Sequence, residues 1–179
     1  MYGISGLIYL ENYISPQHHD ALIAQIDTQP WDTSLKRRVQ HYGYRYDYKA
    51  RRVTPDMHLG SLPSWLNRIA QQLYDDGLIE VMPDQVIINE YQPGQGISAH
   101  IDCQPCFGHR IFSLSLGSTA TMVFSQEQKK VELALAPRSL LMMYGQARYN
   151  WKHAIPARKQ DNGVQRGRRI SLTFRKVEM

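Results

Sequence analysis

The feature that most constrains this chain is a succession of strand signals running from Gln85 to Arg175. Residues 85–91, 111–116, 120–124, 130–135, 139–144, 149–155 and 168–175 each read as a strand, with glycine, proline and polar turns between them. Short strands at such regular spacing predict a sandwich or jelly roll. The first half reads differently. Gly6 to Leu10 predicts a short strand, and Ser15-Pro16 opens a helix, since Ser15 can cap it and Pro16 has no amide to waste. Leu22, Ile23 and Ile26 form its apolar face, and His18 and His19 are expected in solvent. A second helix is predicted over 63–76, where Trp65, Leu66, Ile69, Ala70 and Leu73 make a buried stripe and Gly77 provides the stop. No repeat, low-complexity tract or linker interrupts the chain. The expectation is one α+β domain over 1–179, helices in its first half and a jelly-roll core over 85–175.

Composition fits a folded domain: 42% hydrophobic and 21% charged residues in 179. No apolar run approaches the ~20 residues that span a bilayer, and the first residues lack the pattern of a signal peptide. No membrane association, a cytoplasmic location and a monomer are expected. Lys and Arg outnumber Asp and Glu by 21 to 16, a net charge of +5 that suits a polyanionic partner without requiring one. Cys103 and Cys106 have the spacing of half a zinc site, but no second pair completes it. A redox pair is an alternative; they read better as two loop cysteines beside a metal site.

That metal site is the stretch from Asn89 to Asp102, a strand followed by a Pro-Gly turn and ending in His100-x-Asp102. On extended backbone, residues i and i+2 point to one face. An imidazole and a carboxylate so placed can take two adjacent positions on a divalent metal. His153, on a later strand, can complete a two-histidine, one-carboxylate triad, the set that leaves positions open on iron. His41, His58 and His109 have no carboxylate at comparable spacing.

Two further patterns stand beside it. On the last strand, Arg169, Ser171, Thr173 and Arg175 share one face and Ile170, Leu172 and Phe174 the other. Two buried guanidiniums need carboxylates, and the chain shows no obvious acidic residues for both. A dicarboxylate such as 2-oxoglutarate would serve, one arginine per carboxylate; an exposed basic edge strand is the plainer alternative. Between Arg37 and Arg52, Tyr42, Tyr44, Tyr46 and Tyr48 recur at period two among arginines and a lysine. An extended chain would present all four on one face, either as a base-stacking, phosphate-contacting surface or as a hairpin packed on the core.

Taken together, Asn89-x-Tyr91-x-x-Gly94, His100-x-Asp102, Ser113-Leu-Ser-Leu-Gly117, His153 and Arg169-x-Ser-x-Thr-Phe-Arg175 resemble the AlkB family of Fe(II)/2-oxoglutarate dioxygenases. The segment 37–52 is similar to that family's nucleotide-recognition lid, a β-hairpin, so the resemblance covers nearly the whole chain. It implies a double-stranded β-helix (jelly roll) core and iron held by His100, Asp102 and His153. It implies Arg169 on the distal carboxylate of 2-oxoglutarate, a hydrogen bond from Tyr91, and Asn89, Ser171 and Arg175 around the co-substrate. Arg37, Arg38, Tyr44, Arg45, Tyr46, Tyr48 and Gln104 would face the substrate. The implied reaction uses molecular oxygen to oxidise a methyl or methylene carbon, releasing carbon dioxide and succinate. The implied partner is RNA or DNA carrying a modified base. DNA-repairing members carry an acidic residue where Gln104 stands and Asn where Ser171 stands. Ser171 and the Gln95-Gly-Ile approach look more like the tRNA wobble-uridine-hydroxylating branch, whose appended RNA-binding and methyltransferase domains exceed 179 residues. A protein side chain or small molecule is the alternative substrate, and a non-catalytic metal-binding jelly roll the alternative class.

Overall fold

The computed structural model describes residues 2–179. Its strands are β1 (Leu7–Leu10), β2 (Val39–Tyr42), β3 (Gln85–Tyr91), β4 (Ile97–His100), β5 (Ile111–Gly117), β6 (Ala120–Gln126), β7 (Lys129–Leu135), β8 (Leu140–Met143), β9 (Lys152–Ile155), β10 (Gln160–Asp161), β11 (Val164–Gln165) and β12 (Arg169–Arg175). The helices are α1 (Pro16–Asp27), α2 (Ser64–Asp75) and α3 (Gly145–Tyr149). One antiparallel sheet has the order β1-β8-β5-β12-β3-β2 and faces a second of order β4-β9-β6-β7, as a jelly roll requires. No helix among the described residues is long and apolar enough to cross a membrane.

Strand alternation divides the interior into two cores. Ile88, Leu114, Leu172 and Phe174 point from the larger sheet to α1 and α2, where they meet Ile26, Leu66, Ile69 and Leu73. Between the sheets lie Ile111, Phe124, Leu135, Leu141, Trp151 and Ile155. The start of α1 forms as its sequence predicts, with Ser15 Oγ accepting from the His18 amide at 3.1 Å. His19 departs from expectation. It is drawn inward, and its Nε2 accepts the Gly117 amide at 3.0 Å.

The segment 139–155 also differs from a plain strand pair, because Gly145–Tyr149 coils into α3 before β9 begins. After β2 the chain cannot continue as a flat strand. Gly43 has φ +76°, and a Cβ there would collide with the Asp84 carbonyl oxygen. The tyrosines therefore do not share a face. Tyr42 packs edge-on against Trp65 in the helix-side core, and Tyr44 lies against His58, while Tyr46 and Tyr48 turn toward the space between the sheets. Past that turn the chain forms an irregular antiparallel hairpin, bridged at Tyr44–His58 and at Asp47–Arg52, with the Arg45 amide donating to the Met57 carbonyl at 2.9 Å.

On the helix side of β3, Glu90 is buried and bonded by Arg38 at 2.8 and 2.9 Å and by Arg168 Nε at 2.7 Å. Arg168 also reaches Asp27. The Arg38 hydrogen bonds, reinforced by Arg168 and opposed by burial, hold the Glu90 carboxyl below its ordinary value. A carboxyl lowered by folding stabilises the fold above its unfolded value and loses that contribution as pH falls through the folded one. Glu90→Gln is therefore expected to cost stability at pH 7 and progressively less below about pH 4. Urea midpoints of both proteins at pH 7 and pH 3 check this; an equal gap at the two values would count against it.

Candidate active site

The antiparallel pairing of β4 with β9 sets His100 directly opposite His153. Gly96 permits the approach, since a Cβ there would strike the Ile155 carbonyl oxygen at 2.1 Å. The imidazole centroids are 4.4 Å apart. Asp102 lies just past the end of β4, buried, with Oδ1 3.3 Å from His100 Nε2 and 3.4 Å from His153 Nε2. One ligand atom from each residue falls within 4.8 Å of the others, the arrangement of a single metal site. His100 Nδ1 is 2.7 Å from the Ser98 carbonyl oxygen. A carbonyl only accepts, so Nδ1 carries the proton and Nε2 keeps its lone pair for a metal.

The other oxygen of Asp102 is committed. Arg175 holds Oδ2 from Nε at 2.8 Å and Nη2 at 2.7 Å. This corrects one expectation: Arg175 has a carboxylate of its own and needs none from a ligand. Burial alone would raise the Asp102 carboxyl, but the Arg175 guanidinium holds it well below the usual range. Burial pushes His153 down, against the pull of Asp102. The site thus sets an ionised carboxylate beside an imidazole, that of His153, which burial pushes toward its neutral form, the protonation a divalent cation takes.

Arg169 behaves differently. It is buried to 2% exposure and lies over the Tyr91 ring, with one hydrogen bond from Nη2 to Ser115 Oγ at 3.0 Å. Its Nε is buried without a partner, and among the described residues no carboxylate pairs with it. Burial pushes its pKa down. A buried guanidinium left so is costly, and a ligand carboxylate would satisfy it. Asn89, Tyr91, Arg169, Ser171 and Arg175 line one cavity of about 50 Å³ that runs to the triad. The acceptor-rich dicarboxylate 2-oxoglutarate suits this donor set.

A larger cavity of about 390 Å³ opens on the same triad and shares Asn89, Ile97, His100, Asp102 and Arg175 with the smaller one. Arg37, Tyr46, Tyr48 and Arg51 line it. Arg37 donates to Asn89 Oδ1 at 2.9 Å and lies over the Tyr48 ring. Burial raises the Tyr48 phenol to about 12. Four expected substrate residues lie elsewhere. Arg38 is taken by Glu90, Tyr44 packs on His58, Arg45 is exposed beside Met57, and Gln104 turns out to the Tyr149 carbonyl at 3.1 Å. Cys103 and Cys106 lie in the loop after Asp102, beside the metal site, and are joined there as a disulfide.

Sequence reasoning missed Arg148, which binds the loop after Asp102, and Arg51, which faces the cavity. Neither belongs to a periodic pattern. Arg148 falls in the short interval between the strands predicted over 139–144 and 149–155, and Arg51 stood only as a flank of the tyrosine run.

Comparison with known proteins agrees with this geometry. The family described as the 2OG-Fe(II) oxygenase superfamily matches residues 6–175. An Arabidopsis thaliana protein named alkylated DNA repair protein ALKBH8 homolog is 37% identical, over 98% of this chain and 59% of its own length. The mouse tRNA (carboxymethyluridine(34)-5-O)-methyltransferase ALKBH8 is 39% identical, over 96% of this chain and 30% of its own. A Caenorhabditis elegans DNA N6-methyl adenine demethylase is 30% identical, over 97% of this chain and 60% of its own. The chain thus spans between about a third and three fifths of these relatives. The solved structure of OsALKBH1 superposes with a TM-score of 0.76 at 18% identity, covering 98% of this chain and 99% of that one, and so shares the fold. With its triad assembled and residues 6–175 matched, the chain belongs to the 2OG-Fe(II) oxygenase superfamily, as an AlkB-like dioxygenase that uses Fe(II) and 2-oxoglutarate.

Proposed function

We propose that the chain oxidises a methyl or methylene carbon on a modified base of RNA or DNA. One observation carries the reading: beside Arg175, which is held by Asp102, the cavity above the triad is walled by Arg37, Arg51, Tyr46 and Tyr48, cations for phosphate and rings for a displaced base. Neither Arg37 nor Arg51 pairs with a carboxylate among the described residues; their hydrogen bonds go to Asn89 and the Ile101 carbonyl. The names of the plant, mouse and nematode relatives, which refer to DNA or tRNA, support the same substrate class.

In this reading His100, Asp102 and His153 hold iron(II), which when bound couples decarboxylation of 2-oxoglutarate by oxygen to oxidation of a carbon–hydrogen bond. Arg169 pairs with the distal carboxylate of the co-substrate, and Tyr91 hydrogen-bonds it. Arg175 keeps Asp102 ionised and turns Oδ1 toward the two imidazoles. Tyr46 and Tyr48 stack on the base, and Arg37 and Arg51 neutralise flanking phosphates. On an N-methyl group the hydroxylated product releases formaldehyde; on a carbon substituent the hydroxyl stays.

The test combines binding with product analysis. Arg37→Gln with Arg51→Gln is expected to weaken single-stranded oligonucleotide binding. The slope of log affinity against log salt should become shallower by about 0.7 for each phosphate no longer neutralised. Formaldehyde or a mass shift is expected from a methylated oligonucleotide or tRNA pool and not from peptides. An unchanged slope, or turnover confined to peptides or small molecules, would overturn the nucleic-acid reading and leave the iron chemistry standing.

A further inference from the structure

We propose that Arg148 is the positioning residue of the metal centre, a single guanidinium that fixes the loop bearing Asp102 to the helix leading into His153. The inference stands on the metal site and is independent of the substrate.

Arg148 is on α3, five positions before His153, and only 2% exposed. Its side chain donates to four backbone carbonyls of one loop. Nη1 reaches the Asp102 oxygen at 2.9 Å, Nη2 the Cys103 and Phe107 oxygens at 3.1 Å each, and Nε the Gly108 oxygen at 3.2 Å. Among the described residues no carboxylate pairs with it; the nearby Asp102 carboxylate is already held by Arg175. A buried cation spent wholly on main-chain oxygens closes a loop rather than neutralising a charge.

What it closes is the one part of the triad that no strand supports. His100 and His153 are held in register by the pairing of β4 with β9, but Asp102 lies two residues past the end of β4 and has no ladder of its own. Arg175 fixes its carboxylate and Arg148 its backbone, so the two arginines divide the work. The guanidinium also lies over the Tyr149 ring, and the Tyr149 carbonyl accepts from Gln104 of the same loop. The loop 102–108 and α3 are thus joined from both sides. Lysine cannot substitute, since an ammonium offers three donors from a single point and the four oxygens are spread along the loop.

Cobalt(II) reports on the centre without turnover. In Arg148→Lys, far-UV circular dichroism should show a folded protein, with cobalt(II) bound roughly 10–100-fold more weakly, the usual effect of losing a residue that orients metal ligands. Its visible ligand-field band should be altered. Arg138→Lys is the control, since Arg138 likewise bonds a main-chain oxygen, that of Ile14, and Asn12 remote from the triad. It should bind cobalt(II) as the parent does. Parent-like affinity and band in Arg148→Lys, or equal weakening in Arg138→Lys, would overturn the proposal. Should Arg148→Lys fail to fold, hydrogen exchange on the parent decides. Cobalt(II) is expected to slow residues 102–108 and 145–149 together, and slowing of the first segment alone would overturn it.

Discussion

Replacing His153 by alanine will abolish succinate release from 2-oxoglutarate while leaving both sheets assembled. The imidazole supplies one of three protein bonds to the metal, and iron left with two is lost or misplaced. The side chain is 12% exposed at the cavity floor, and its packing neighbour, Phe124, belongs to a core that survives the truncation. His100→Ala should behave alike. Asp102→Ala carries a second penalty, because it leaves Arg175 13% exposed and unpaired. Breaking a buried pair from one side costs about 3–5 kcal/mol, so this variant should also melt earlier. Iron stoichiometry, succinate release and thermal midpoints on the three variants separate the two effects. Parent-level turnover in any of them would remove that residue from the triad.

Arg169→Ala should raise the apparent KM for 2-oxoglutarate strongly, with Arg169→Lys recovering only part of the loss. The guanidinium is buried, has one neutral hydrogen-bond partner and an orphaned Nε, so the carboxylate it would meet is otherwise unpaired. Truncating one side of such a pair costs on the order of 2–5 kcal/mol, and lysine replaces a planar fork with a point charge. The same argument predicts a second readout. Succinate, added in excess, should raise the thermal midpoint of the parent by mass action and leave that of Arg169→Ala nearly unmoved. An unchanged KM, or equal stabilisation of both proteins, would return this strand to a purely structural role.

What the chain discloses in advance follows from periodicity. The alternation of Arg169, Ser171, Thr173 and Arg175 with Ile170, Leu172 and Phe174 announces a strand between a polar site and an apolar core, and β12 is that strand. Ser15-Pro16 and Gly77 bracket helices for local reasons of capping and handedness, so their ends are also readable. The triad could be inferred because three residue types with one shared chemistry recur in a suitable order.

Long-range pairing is what stays hidden. Glu90 sits at the opposite parity from Asn89 and Tyr91, and nothing local tells Arg38 or Arg168 that it is their partner. Arg175 looked as if it required a ligand because Asp102, its counter-ion, is 73 residues away in the chain. The tyrosine run misled for a different reason. Period two implies one face only while the backbone stays extended, and Gly43 turns the chain midway. Arg148 answers to no periodicity at all; its role is defined by carbonyl groups, which every sequence has.

The two-sidedness of β3 and β12 fixes where this chain can change in length. These strands are neighbours in register, Tyr91 against Arg169 and Asn89 against Ser171, with site residues on one surface and helix-side core on the other. One residue inserted within either strand exchanges the surfaces for everything beyond it. Arginine would be driven into the helix-side core as leucine was turned into the site, so chemistry and stability would fail in one step. The hairpin of β10 and β11 is under no such constraint. It turns through Asn162 and Gly163, both at positive φ, and Val164 beyond them is 69% exposed. Length can drift there without reversing any face, whereas the strands that carry the chemistry must keep their count.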